Sequence, residues 1–289
     1  MGKKRFFDDR LKYLSFIQNT SEKRAISEQL APHIASMEQN RTFLRVLDAG
    51  TGDGTVKSNV IKTFHKYHPY TTLLITGKEI SYEDLKNTLE KMPDRFVEHP
   101  NLLVTMTNVK FAELGHVESS NKIKGKNVKS YTLVLKDDNS FDFHAQINKL
   151  NSFIKKNWGI EIDNKSRTSY ANPCIIRIYR EDHKRYIEPF IDNDYKNNNY
   201  DLIIASQAYR AASEVRTKVN NVIAPLMRLL NKSGKLLVTH SCGGDTVEKI
   251  LKVAWKDKNP FPNKAKDIIE FLKNNPVGEN NKYVYSKPK

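Results

Sequence analysis

Cysteine is scarce in this chain: only Cys174 and Cys242 occur among 289 residues. Two thiols in a chain of this length do not build a disulfide framework. Long apolar runs are missing too. No stretch approaches 18 consecutive apolar residues, so nothing reads as a membrane-spanning helix. The opening Met1-Gly2-Lys3-Lys4-Arg5-Phe6 is basic but has no apolar stretch behind it, which excludes a secretory signal. Phe6 stands where myristoylation needs Ser or Thr. Few thiols and no leader together predict a cytoplasmic protein. Metal-ligand spacing is also lacking. His65 and His68 lie three apart with no Cys or carboxylate at ligand spacing, so no metal is expected and both are read as an exposed helix end.

Basic residues are abundant, and the formal net charge is +15. The excess is spread thinly. It vanishes in residues 46–112, which carry eight basic and eight acidic side chains. A dedicated nucleic-acid module usually concentrates its charge. The distribution therefore favours a solvated lysine-rich surface, with a polyanion site as the alternative.

Hydrophobic spacing divides the chain. Leu11, Leu14 and Ile17, then Ile26, Leu30 and Ile34, recur at helical intervals, predicting two helices over 6–38. Short apolar runs at 43–48, 71–76 and 102–107 read as buried strands, separated by helical stretches at 56–67 and 82–92. That alternation predicts βαβ units and a parallel sheet. Residues 113–199 break the rhythm with a lysine-rich loop, strands near 131–135 and 174–179, and a helix over 143–157. They are read as an insertion with its own small α/β structure. The core resumes with strands at 200–206 and 235–240. Gly234 is expected in the left-handed position past a helix end. Helices near 246–255 and 264–273 and a possible strand at 283–285 finish the chain. The predicted units are a helical cap (1–40), a core (41–112 and 200–289) and the insertion (113–199), a possible lid.

The first strand ends in Asp48-Ala49-Gly50-Thr51-Gly52-Asp53-Gly54. Glycines here let the backbone approach a ligand where a Cβ would clash, and the next helix N-terminus offers free N–H groups. The dinucleotide spacing G-x-G-x-x-G would need Gly at position 55, which is Thr55. The run instead resembles the first motif of the class I S-adenosylmethionine (SAM)-dependent methyltransferases. Glu79 stands just beyond the second strand, where that family places the acid that grips the ribose hydroxyls. Thr107 and Asn108 occupy the adenine-side position after the third strand, and Ser206 and Gln207 end the fourth strand beside the methyl donor.

The resemblance implies a three-layer Rossmann-like α/β fold and a SAM site formed by Asp48, Gly50, Thr51, Gly52, Asp53, Gly54, Glu79, Thr107, Asn108, Ser206 and Gln207. It implies methyl transfer from SAM to a small-molecule acceptor, leaving S-adenosylhomocysteine. The chain departs from the family in its long insertion and in having at most one candidate strand after residue 240. It also lacks the Asp/Asn-Pro-Pro-Tyr/Phe run of amino-directed nucleic-acid methyltransferases. His240 as general base, Gln207 orienting an acceptor, and Tyr209 as an aromatic wall for the sulfonium are the catalytic candidates. Two alternatives stay open: an RNA or protein methyltransferase docking through basic surface, and a non-catalytic SAM-binding module. In the first, the Arg177-to-Arg180 and Lys184-to-Tyr186 runs would stack and pair with RNA; otherwise they read as a half-exposed hairpin.

Overall fold

The computed structural model describes residues 22–117, 120–162, 168–191, 199–241, 261–278 and 283–287. Helix α1 (Glu22–Ala35) leads to strand β1 (Phe43–Ala49), helix α2 (Thr55–Tyr67) and strand β2 (Thr72–Lys78). Helices α3 (Tyr82–Glu90) and α4 (Pro93–Glu98) precede β3 (Leu102–Thr107). A tiny hairpin, β4 (Lys122–Ile123) and β5 (Lys126–Asn127), leads into β6 (Lys129–Leu135). Helices α5 (Ser140–Ile147) and α6 (Leu150–Asn157) follow, then the hairpin β7 (Ile160–Ile162) and β8 (Thr168–Tyr170). Strand β9 (Cys174–Arg180) and the short α7 (Lys184–Ile187) precede β10 (Tyr200–Ser206). Two short helices, α8 (Val215–Lys218) and α9 (Ala224–Met227), flank a π-helical turn, and β11 (Leu230–Thr239) and α10 (Ala265–Asn274) complete the set. None of the described helices is long and apolar enough to cross a membrane.

Seven strands form one sheet in the order β11-β10-β1-β2-β3-β9-β6. Pairings among β11, β10, β1, β2 and β3 are all parallel, while β9 runs antiparallel to β3 and parallel to β6. Strands covered on both faces need apolar residues at every position, and β1, β2 and β3 are buried almost throughout. One face carries Leu44, Val46, Ile75, Val104 and Ile204 against Leu30 and Ile34 of α1, Val60 and Phe64 of α2, and Leu85 of α3. The other carries Leu47, Ala49, Ile203 and Ala205 against Val222 and Leu226. The result is the expected Rossmann-like arrangement.

Several expectations change. Residues 113–199 give β9 and β6 to the main sheet, so this segment extends the core rather than forming a self-contained insertion. The Arg177-to-Arg180 run is accordingly no half-exposed hairpin: β9 has a neighbour on either side, and Arg180 is buried over the Phe143 ring with its Nη1 donating to Phe96 O. Gly234 lies within β11 and not in the left-handed region; a Cβ there would sit 2.5 Å from Tyr200 O. Close backbone approach, not a helix cap, requires that glycine. Residues 283–287 are not a strand. The expected helix over 6–17 and the one at 246–255 lie outside the described residues. His68 is buried and His65 half-buried, so the pair is not the exposed helix end expected; His99 is buried beside them. His99 donates from Nε2 to Thr71 O at 3.0 Å, and its Nδ1 accepts from His65 Nδ1 at 3.2 Å.

Candidate functional site

Parallel strands β1, β2 and β10 end side by side, and the turns after them surround one cavity of about 290 Å³. That is near the lower end of ligand cavities, roughly 300–1,000 Å³. The end of a parallel sheet, where neighbouring connections diverge, is the usual ligand position. The glycine loop forms one wall through Gly50, Thr51, Gly52 and Asp53. Gly50, Gly52 and Gly54 all have positive φ, at 105°, 57° and 77°. Gly54 has a second constraint, because a Cβ would fall 2.7 Å from Thr88 Cα. The Thr88 hydroxyl holds the loop by donating to Gly52 O at 3.0 Å. At Gly52 itself the space beyond Cα is open.

Glu79 lines the second wall and is buried. Its Oε2 accepts from Gly52 N, and its Oε1 from Ile80 N and Ser81 N, each at 2.8 Å. A carboxylate offers about four acceptor sites. Three are engaged by backbone, which leaves one for a ligand hydroxyl rather than the pair expected of a diol grip. Ser206, Gln207 and Ala208 form the third wall. Gln207 takes φ of 49°, a left-handed value uncommon outside glycine. Its backbone N donates to Thr239 Oγ1 at 3.0 Å, which holds that conformation.

The start of helix α1 joins the lining. Glu22, Lys23 and Ile26 line the cavity, with Lys23 Nζ 2.6 Å from Asp53 Oδ1 and Gln207 Nε2 donating to Glu22 Oε1. Burial pushes the Asp53 carboxyl up, but hydrogen bonds from Lys23 and from Thr55 N outweigh it and hold the group below the usual range. Lys78, Asp84 and Phe111 complete the lining. Lys78 Nζ lies 5.0 Å over the Phe111 ring. Four carboxylates (Glu22, Asp53, Glu79, Asp84) thus face two lysines (Lys23, Lys78), an acidic cavity in a strongly basic chain.

No protein family model and no curated protein matches this chain. Among solved structures it is similar to MnmC2 of Aquifex aeolicus, at 11% identity and a TM-score of 0.30. That match covers 86% of this chain and 62% of the other, less than two thirds of its length. Likeness at this level carries no argument about activity, so the site stands on its own geometry.

Of the residues expected to bind cofactor, Gly50, Thr51, Gly52, Asp53, Glu79, Ser206 and Gln207 converge on the cavity. Asp48, Gly54, Thr107 and Asn108 do not line it. Thr107 and Asn108 clasp the start of β9 instead. The Thr107 hydroxyl donates to Cys174 O at 2.7 Å, Asn108 Nδ2 to Asn172 O at 2.9 Å, and Cys174 N to Asn108 Oδ1 at 2.8 Å. Asp48 lies beneath the loop with Lys57, and both are buried. Neither Asp48 oxygen meets a donor among the described residues. Burial raises the Asp48 carboxyl against the pull of Lys57, and burial lowers the Lys57 ammonium against the pull of Asp48.

Of the catalytic candidates only Gln207 reaches the cavity. Tyr209 and His240 face each other, Tyr209 Oη to His240 Nδ1 at 3.4 Å. His240 Nε2 lies 2.9 Å from Asn263 O. A carbonyl can only accept, so Nε2 carries the proton and Nδ1 accepts from Tyr209. Both nitrogens are engaged by these partners, and His240 does not line the cavity. Burial pushes the Tyr209 hydroxyl up to about 12. Cys242 lies outside the described residues.

Sequence reasoning missed Lys23, Glu22, Asp84, Lys78 and Phe111 in the lining and Lys57 below it. Lys57 left a signal: it precedes Val60, Ile61 and Phe64 by three, four and seven residues, so it shares their apolar helix face.

Proposed function

We propose that the cavity binds SAM and that the chain transfers its methyl group to an acceptor. The observation that carries this reading is the convergence of a left-handed glycine loop, a buried Glu79 and the β10 end on one acidic cavity. SAM carries a sulfonium and an ammonium against one carboxylate, so an acidic lining favours it electrostatically. The open space over Gly52 admits a ligand against bare backbone. The remaining acceptor site on Glu79 suits a ribose hydroxyl, and exchange of the Gly52 N–H contact would free a second.

The bound group supplies a methyl already activated by its positive sulfur. The chain's part is alignment and exclusion of water. The glycine loop and Glu79 hold one end of the ligand. Gln207, fixed by Thr239 and Glu22, faces the mouth, where its amide can orient an acceptor. Helix α1 covers the cavity through the Lys23–Asp53 and Glu22–Gln207 contacts and serves as the lid.

Calorimetric titration with SAM and S-adenosylhomocysteine tests the reading. Micromolar binding is expected for the wild type, weakened tenfold or more in Glu79→Ala with the circular dichroism spectrum unchanged. Binding of neither ligand would remove the proposal.

A further inference from the structure

The acidic cavity has a basic margin on one side. Strand β9 runs antiparallel to β3, with Thr107 opposite Ile175, and β6 runs parallel to β9, with Lys129 opposite Cys174. The first residues of β9 and β6 therefore lie at the sheet edge where β1, β2 and β3 end, the edge that bears the cavity. The chain on either side of them is tied down there. Lys129 N donates to Pro173 O at 2.8 Å, Lys124 Nζ lies 2.8 Å from Glu113 Oε1, and Lys126 Nζ donates to Ala171 O at 2.8 Å. Lys110, Lys122, Lys124, Lys126 and Lys129 are all exposed at this edge, and Lys110 directly precedes Phe111 of the cavity wall. Two carboxylates, Glu113 and Glu161, pair with Lys124 and Lys126. Positive charge remains in excess.

The margin also has an aromatic face. Lys129 and Tyr131 are two residues apart on β6 and share one side of the sheet. Tyr131 is 37% exposed, and its ring centroid lies 5.4 Å from that of Phe153. Lys156 follows Phe153 by three residues on α6, on the same helix face, and is exposed. A solvent-facing ring flanked by lysines is what a single nucleic-acid strand uses: bases stack on the ring and phosphates pair with the cations. An acidic peptide would use the charge but not the ring.

We infer that the Lys122–Lys129 margin, with Tyr131 and Lys156, binds a single-stranded nucleic acid and brings one of its bases to the mouth of the acidic cavity. The inference rests on the methyl-transfer reading for its consequence and on the margin alone for its binding. Charge sorts the two ligands. The cavity rejects phosphates and takes a cation, while the margin holds phosphates outside.

Fluorescence anisotropy of labelled 20-nucleotide RNA and DNA strands on the full chain tests it, over a series of salt concentrations. The expected result is binding that weakens steeply with salt, with a slope of about −0.7 per phosphate contact. The triple variant Lys122→Gln/Lys129→Gln/Lys156→Gln should bind at least tenfold more weakly, with a slope shallower by about 2. Tyr131→Ala should weaken binding without changing the slope. RNA bound more tightly than DNA, or the reverse, identifies the strand. The inference fails if neither strand binds, if the triple variant binds like the wild type, or if polyglutamate competes as well as either oligonucleotide. SAM calorimetry on the same variants keeps the two readings apart. Unchanged SAM binding with lost strand binding supports both. Strand binding without SAM binding upholds the margin and removes the methyl-transfer reading.

Discussion

The β1–β2–β10 part of the sheet and its β9–β6 extension share a continuous hydrogen-bond ladder but treat charge in opposite ways. In the first, ionic groups are drawn inward. Asp48 and Lys57 are buried beneath the glycine loop, Glu79 is held by three backbone N–H groups, and Lys23 closes on Asp53. In the second, lysines stand on the outside at the same edge. Buried charges are costly unless paired, so the first part concentrates its field on a small enclosed volume. Exposed charges are cheap and screened, so the second leaves its positive charge on open surface. One edge thereby carries an enclosed acidic cavity and an exposed basic margin.

The strongest way to break this contrast is to remove the buried cation. Lys57→Met should destabilise the fold by about 3–5 kcal/mol, because the buried Asp48 would lose its neighbouring positive charge and be forced to take up a proton. Adding Asp48→Asn should restore much of the loss. Urea unfolding of both variants measures it, and a double variant no more stable than the single one would refute the pairing.

The opposite end of the same core should respond to pH. Burial, with His65 adding to it, lowers His99 from 6.5 to about 4. The folded state resists a proton that the unfolded state accepts below pH 6.5. Stability is therefore complete above 6.5 and falls between 6.5 and 4, by about 3 kcal/mol at most. His99→Gln should flatten that slope in unfolding curves recorded across this window.

A smaller effect is expected at the mouth. Lys23→Met should cost about 1 kcal/mol or less, since the pair is partly solvated. Its clearer sign is an upward shift of the Asp53 titration followed by NMR, together with faster release of bound SAM. An unmoved Asp53 would mean that α1 does not close on the loop.

Much of the core was legible from the chain. Apolar runs at 43–48, 71–76, 102–107 and 200–206 marked strands because both faces of a parallel sheet must be covered, and that demand is written locally. The glycine loop was legible because left-handed backbone restricts residue choice. The role of Thr107 and Asn108 was not, since their hydrogen bonds go to Cys174 and Asn172, more than sixty residues away. The extension escaped notice for a related reason: β6 and β9 look like strands, but nothing in their spacing says which strand they will pair with. His240 looked available because its engagement by Tyr209 and Asn263 is entirely tertiary.

Residue order alone therefore settled the alternation of strands and helices and the glycine turn, which follow from short-range sterics and periodicity, while Glu79 was singled out by the family resemblance of the loop before it. The tertiary structure decided the rest: that β9 and β6 join the main sheet, that Lys57 and Asp48 are enclosed together, and that the start of α1 lines the cavity. Those outcomes depend on burial and on charges brought together from distant segments, which the spacing of neighbours along a chain does not encode.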